Sequence, residues 1–472
     1  MISPDQLLPL LQKSFDRATI VPGSSPLPPQ FTGISTDSRQ ISPGSLFVAL
    51  RGEKFDGHEF LAQTLAQGAI GAIVDQGYAP LADLQGRLTL WQVPNTLRAY
   101  QTIAQGWREQ FRIPLVGVTG SVGKTTTKEL IAVMLGQRGT VLKTQANYNN
   151  EIGVPKTLLE LNDRHDYAVI EMAMRGRGEI AELTRLAQPT IGVITNVGVA
   201  HIERLGSREA IAEAKCELLE EMGKASNPVT GSEIGRAPGL AILNADNPLL
   251  LQTAERCWSG RTLTFGLTAG DIRGQLLDLE TLEVEGQRFH LPLAGEHNAV
   301  NFLAGLAVAR ELGVDWATLT HLQLTLPGGR SQRYSLPNDR LLLDETYNAG
   351  PESMIAALKL LAQTPGKRHL AVLGTMKELG DRSLAFHTEI GEWVKTLGLD
   401  GLFILADPPE AEALAQGAAP IPLQFFQDPQ TLALTLQQAL QPGDRVLFKA
   451  SRSVALDRVV QQVLSLNPIE QA

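Results

Sequence analysis

Between residues 117 and 129 the chain reads GVTGSVGKTTTKE, a run of residue types suited to holding a nucleotide phosphate. The strict phosphate-loop pattern is G-x-x-x-x-G-K-[ST]. Gly123 and Lys124 fit it, but Val118 stands where the first glycine belongs, so the turn that remains is Gly120-Ser121-Val122-Gly123-Lys124-Thr125. The chemistry survives this departure. Backbone N–H groups at a helix start point at an anion, Lys124 adds a point charge for the β and γ phosphates, and the Thr125 hydroxyl can ligate Mg2+. A tight strand-to-helix corner would need only the glycines; the Lys124-Thr125-Thr126 run after them argues for phosphate.

Other chemistry-bearing residues fall where strands should end. The apolar run YAVIEM carries Glu171 at its C-terminal end, on the edge of a parallel sheet where the phosphate turn also lies and a carboxylate can hold a metal. His201 follows the next apolar run, in TNVGVAHIERLGS (195–207), and should reach the same edge. Lys215 sits in the helical stretch AIAEAKCELLE, with Ile211, Ala212, Leu218 and Leu219 three and four positions away. No carboxylate shares its face, which favours burial, but a long side chain can snorkel to solvent. Spacing leaves both readings open. The stretch TQANYNNEIGVPKTLL, opening at Thr144, groups Asn147, Asn149 and Asn150 before a helix start. Asparagines there serve sugar or peptide recognition, or simply build a turn.

The elements that must position these residues alternate between strand and helix. An N-terminal segment pairs the buried runs GSLFVAL (44–50) and GAIGAIVD (68–75) around a helix, and a further helix capped at Asn95 or Thr96 leads out of it. A central segment opens with the strand IPLVGVTG (113–120), and a third begins near residue 326 with RLLLDETY, RHLAVLGT, GLFILA and DRVLFKAS as strands. We therefore expect an α/β protein of three domains, 1–112, 113–325 and 326–472, the last two with mostly parallel sheets covered by helices. Residues 224–239, rich in Gly, Pro and Ser, read as an exposed loop.

Composition narrows the class. The 472 residues are 43% hydrophobic and 19% charged, as in ordinary globular proteins. A net charge of −9 argues against a nucleic-acid partner. Two cysteines, Cys216 and Cys257, fit a reducing cytoplasm, and no window has the ~18 apolar residues needed to insert in a membrane. A nucleotide switch or motor would need a guanine-specificity motif or an Asp-ended metal strand, and neither is evident.

In their order, GVTGSVGKTTTKE, TQANYNNEIGVPKTLL, VIEMAMRGRGEI, TNVGVAHIERLGS and AKCELL resemble the central domain of the Mur ligases, and the resemblance continues through LNADNP, TFG and LPLAGEHNAVNFLAGLAVA. TDSRQISPGSLFVALRGEKFDGHEF (36–60), LLLDETYNAGPESMIAAL (341–358), VLGTMKELGDRSLAFHTEIG (372–391) and VLFKASRSVALDRVV (446–460) resemble the outer domains of the member that joins D-Ala-D-Ala to UDP-N-acetylmuramoyl-tripeptide. The resemblance implies an amide ligase that consumes ATP with Mg2+, forms an acyl phosphate, and works as a cytoplasmic monomer. It implies Thr125, Glu171, His201 and a carbamylated Lys215 as metal ligands, and Lys124 with the turn of Gly120, Ser121, Gly123, Thr125 and Thr126 around the phosphates. It places His297, Asn298 and Asn301 beside adenine, Arg330 near phosphate and Asp344 near ribose. Asp37, Ser38 and Arg39 would meet the uridine diphosphate, with Thr144, Asn147, Asn149 and Asn150 further along that substrate. Asn348, Ala349 and Pro351 would face D-Ala-D-Ala, although Gly350 stands where the family often has Asn. Arg175 and Arg177 are candidates for the tripeptide carboxylates.

Overall fold

A computed structural model describes residues 2–24, 27–79, 86–225 and 239–467. Three sheets follow one another along the chain. The first holds five strands in the order Thr19–Val21, Thr89–Val93, Gly71–Asp75, Leu46–Val48 and Ile34–Ser35. All its pairings are parallel except the first. The Asn95 side chain then accepts from Arg98 N at 2.8 Å and starts the helix Thr96–Arg108. That helix does more than lead out of the first domain. Its Trp107 indole donates to Leu161 O at 3.0 Å and buried Arg108 donates to Ala187 O at 2.9 Å, so its far end is pinned to the second domain.

The second sheet has nine strands, and its centre carries the site. Strand β1 (Leu115–Thr119) is buried throughout and feeds the glycine turn, from which helix α1 (Lys124–Leu135) starts. Strand β2 (Tyr167–Glu171) pairs with it on one side and β3 (Ile191–Ile194) on the other, both parallel. Val118 is opposite Glu171 and Thr119 opposite Ile194, so all three strands end on one edge. Helix α2 (Arg208–Ala225) follows, extending into the stretch read as a loop from residue 224; residues 226–238 of that stretch lie outside the described residues. Beyond Arg261–Gly266 the sheet turns into an antiparallel meander of Ile272–Leu276, Thr281–Val284 and Gln287–His290, which the sequence reading did not find. Its strands are four or five residues long and alternate buried with exposed positions, so no apolar run marks them.

Helix α3 (Glu296–Glu311) packs along α1 and closes this domain. The third sheet has six strands; within it β4 (Arg340–Asp344) pairs antiparallel with Gln332–Leu336 and parallel with Asp444–Lys449. Helix α4 (Pro351–Gln363) leaves β4 through the loop that carries Asn348 and turns back toward the second domain. The fold is thus a three-domain α/β architecture with a largely parallel central sheet. No described helix is long and apolar enough to cross a membrane.

Candidate active site

The phosphate turn is shaped by two glycines that no other residue could replace. Gly120 (φ 153°) would put a Cβ 1.9 Å from Thr195 Oγ1, and Gly123 (φ 82°) would put one 2.4 Å from Asn301 Oδ1. Residues after β3 brace the turn. Asn196 accepts from Val122 N at 3.0 Å and donates to Val122 O at 3.0 Å, the Thr195 hydroxyl donates to Val122 O at 2.7 Å, and Gly198 N donates to Ser121 Oγ at 2.8 Å. The first turn of α1 leaves its own N–H groups without intrahelical acceptors, aimed out of the helix. Thr125 and Thr126 are buried in that turn.

Lys124 folds across the turn and donates to Gly120 O at 2.8 Å and Ser121 O at 3.2 Å. Burial lowers its pKa, the charge of Glu171 opposes that, and Arg330 adds to it. Glu171 is held by two bonds. Its N–H donates to Thr144 Oγ1 at 3.0 Å, its Oε1 accepts from Asn149 Nδ2 at 2.8 Å, and its buried Oε2 has no hydrogen-bond partner. Buried Lys128 in turn donates to Thr144 O at 2.7 Å and pairs with Glu129 at 2.7 Å. A buried acceptor left unsatisfied at a strand end, facing a phosphate turn, fits an oxygen-ligated divalent cation such as Mg2+.

His201 takes a left-handed backbone (φ 67°) at the head of the short helix Ile202–Leu205. Its Nδ1 lies 2.6 Å from Glu378 Oε2 of the third domain, off the line of a good hydrogen bond. Burial holds the imidazole below its ordinary pKa, Glu378 opposes this, and the cations Lys124 and Lys215 reinforce it. Lys215 is buried inside α2, with no carboxylate within 4 Å among the described residues. Burial, and after it Lys124, push its ammonium well below the usual lysine range. The structure thus brings Lys124, Glu171, His201 and Lys215 around one sheet edge.

The other candidates divide. Asn301 accepts from Thr127 Oγ1 at 3.2 Å beside the turn, and Asn298 donates to Ala294 O at 2.9 Å. Arg330 stacks 3.6 Å over the Tyr347 ring, with its Nε buried and unpartnered. Asp344, its pKa raised by burial, accepts from Thr346 N and Oγ1. A cavity of about 620 Å3 opens between the second and third domains, lined by Asn298, Ser331, Arg333 and Glu345. A second of about 280 Å3 is lined by His297, Glu352 and Lys359.

Several asparagine and arginine candidates are occupied locally. Asn150 Oδ1 accepts from Gly153 N at 2.9 Å, the first residue of the helix Gly153–Leu158; Thr144 and Asn149 support Glu171; Asn147 is exposed. Arg175 pairs with Glu151 and Glu179, and Arg177 with Glu213. In the first domain Arg39 grips Asp37 through two bonds of 2.8 Å, lowering the Asp37 pKa to about 2. Ser38 lies beside this pair, and the charge of Lys156, from the stretch that follows the asparagines, reaches it. In the third domain exposed Asn348 has its carbonyl held by Lys449 at 2.9 Å, and Pro351 begins α4. Sequence reasoning missed Thr195, Asn196, Glu352, Glu378 and Lys449; the stretch TNVG flanking β3 was visible, but nothing in it announced a brace.

Three family descriptions match in chain order: Mur ligase family, catalytic domain over residues 30–80, Mur ligase middle domain over 118–309, and Mur ligase, glutamate ligase domain over 329–452. UDP-N-acetylmuramoyl-tripeptide–D-alanyl-D-alanine ligase of Synechocystis is 56% identical over 440 residues, 93% of each chain. The enzyme of that name from Escherichia coli is 36% identical, covering 91% of this chain and 92% of its own. Among solved structures, MurF from Acinetobacter baumannii superposes with a TM-score of 0.84 at 30% identity, covering 97% of this chain and 98% of its own. MurF from Thermotoga maritima in complex with ADP does so with a TM-score of 0.79 at 33% identity, over 92% of this chain and 97% of its own. Domain order, site geometry and relatives matched over nearly their full length agree, and the chain belongs to the Mur ligase family.

Proposed function

We propose that the chain is an ATP-dependent ligase that joins D-Ala-D-Ala to UDP-N-acetylmuramoyl-tripeptide, the last cytoplasmic step in building the peptidoglycan pentapeptide precursor. The observation that carries this reading is the convergence of Lys124, Glu171, His201 and Lys215 at one sheet edge, under a third domain that reaches it through Glu352 and Glu378. The terminal carboxylate of the tripeptide attacks the γ-phosphorus of ATP, ADP leaves, and an acyl phosphate results. The dipeptide amine then attacks the acyl carbon, phosphate leaves, and the amine sheds a proton. A free α-amino group titrates near ~8, so an appreciable fraction is neutral without a dedicated strong base.

Each residue has a part in this scheme. Lys124 and the N–H groups of Gly120 to Thr126 stabilise charge on the transferring phosphoryl group. Thr125 and Glu171 would hold one Mg2+, and His201 with a carbamylated Lys215 a second; the metal neutralises phosphate charge when bound. We assign adenosine to the larger cavity, which Asn298 lines, and carry His297, Asn301, Arg330 and Asp344 over from the family resemblance as its further contacts. Asp37, Ser38 and Arg39 take the uridine diphosphate end, and Asn348 with Pro351, at the N-terminal end of α4, faces the amine end of the dipeptide. The reading places the enzyme in the cytoplasm as a monomer, in keeping with two free thiols and a site built from one chain.

Phosphate release from ATP is expected to require both UDP-N-acetylmuramoyl-tripeptide and D-Ala-D-Ala. Release that ignores the dipeptide, or that needs another amine, would overturn the assignment. A second expectation concerns Asn149, whose side chain orients Glu171. Asn149→Ala should raise the Mg2+ concentration for half-maximal activity ~10–100-fold and leave the KM for the UDP substrate near its original value. A raised KM for the UDP substrate with normal Mg2+ dependence would instead return Asn149 to the substrate contacts.

A further inference from the structure

The smaller cavity lies between α3 and α4, with Glu296 and His297 on the α3 side and Glu352 and Lys359 two helical turns apart on α4. Glu352 stands in the first turn of α4 and crosses to the second domain, where its Oε1 accepts from Val199 N at 2.7 Å. Its Oε2 is buried with no hydrogen-bond partner. Only glycine at 198 permits the approach, since a Cβ there would lie 2.4 Å from Oε1. Gly198 also donates to Ser121 of the phosphate turn, so this carboxylate borders the site of phosphoryl transfer, and its charge is felt by Lys215. A buried anionic oxygen without a donor calls for a cation.

Two helical turns along α4, Lys359 lines the same cavity. Its ammonium lies 5.2 Å from the centre of the Trp393 ring, and no carboxylate is within 4 Å of it among the described residues. Seven residues of helix separate the two Cα atoms by about 10 Å, while the termini of an extended dipeptide are about 7 Å apart. Between them, Val300, Ile355 and Ala356 offer small apolar contacts.

We infer that this cavity is the docking site of the free dipeptide, with Glu352 receiving its α-ammonium, Lys359 its terminal carboxylate, and the apolar residues its two methyl groups. The inference rests on the ligase reading above and adds to it the residues that select a zwitterion. It delivers the amine beside the phosphate turn and leaves the larger cavity to adenosine.

The test uses the full enzyme with D-Ala-D-Ala and with its C-terminal amide, which lacks the negative charge. Wild-type enzyme should prefer the acid, and Lys359→Met should raise the KM for D-Ala-D-Ala by about 10–100-fold, abolish the preference for acid over amide, and leave the KM for ATP unchanged. Glu352→Gln should raise the dipeptide KM likewise, while acyl phosphate trapped by hydroxylamine without dipeptide still forms. An unchanged dipeptide KM and acid preference in Lys359→Met overturns the inference, as does a raised KM for ATP, which would give the cavity to the nucleotide. Absence of dipeptide-dependent phosphate release in the wild-type enzyme would remove the ligase reading itself, a separate and earlier failure.

Discussion

Lys124→Met is expected to lower turnover by at least ~10³-fold with little change in melting temperature. In the proposed reaction the charge of Lys124 would follow the phosphoryl group as it moves from ADP to the acyl oxygen. Its ammonium donates to the carbonyls of Gly120 and Ser121, which keeps it poised over the turn. Burial lowers its pKa and the charge of Glu171 counters that. Methionine keeps the aliphatic stem and loses the charge, so structure and electrostatics are tested apart. The measurements are single-turnover acyl phosphate formation and thermal unfolding of the same preparation. Retained phosphoryl transfer would mean that another cation serves the γ-phosphate, with Arg330 the first to examine.

How much of this was legible in the sequence follows from the distance over which each feature is encoded. The phosphate turn was readable because its glycines, lysine and threonines are contiguous and their backbone demands are local. Glu171 and His201 were readable because parallel strands β1, β2 and β3 must end on a common edge, whatever packs above them. Lys215 was undecidable from spacing, since a helical lysine among apolar neighbours can be buried or can snorkel; its burial is settled by what packs against α2. The asparagine loop stayed open for a related reason. Asn150 and Thr144 carry types suited to substrates, but bonds to a helix start and to a strand end use the same donors and acceptors. Glu352 and Glu378 were invisible because each acts on a loop more than 150 positions earlier in the chain, and no periodicity records such a contact.

Lys215→Ala is expected to reduce turnover at least ~100-fold, about the loss of a metal ligand worth several kcal/mol, and the defect should be partly reversed by formate or acetate. Burying an ammonium is costly. Inside α2, with Lys124 adding repulsion, the amine is driven toward its neutral form. Its pKa is lower in the folded protein than in the unfolded chain. Folding therefore loses stability as pH falls below the unfolded value of ~10.4, and the loss stops growing below the folded pKa. Lys215→Met should accordingly melt at the same temperature as wild type or higher at neutral pH. A residue that weakens the fold and is nevertheless needed for turnover is held for its chemistry. A neutral amine reacts with CO2, giving a carbamate whose oxygens can join His201 around a cation, and this explains why a small carboxylate could substitute for it. Enzyme equilibrated with 13C-labelled CO2 should show a carbamate resonance that Lys215→Met lacks. If that signal is absent, if CO2 removal leaves the wild-type rate unchanged, and if carboxylates fail to rescue Lys215→Ala, the lysine acts as a plain amine and the second metal ligand must be sought elsewhere.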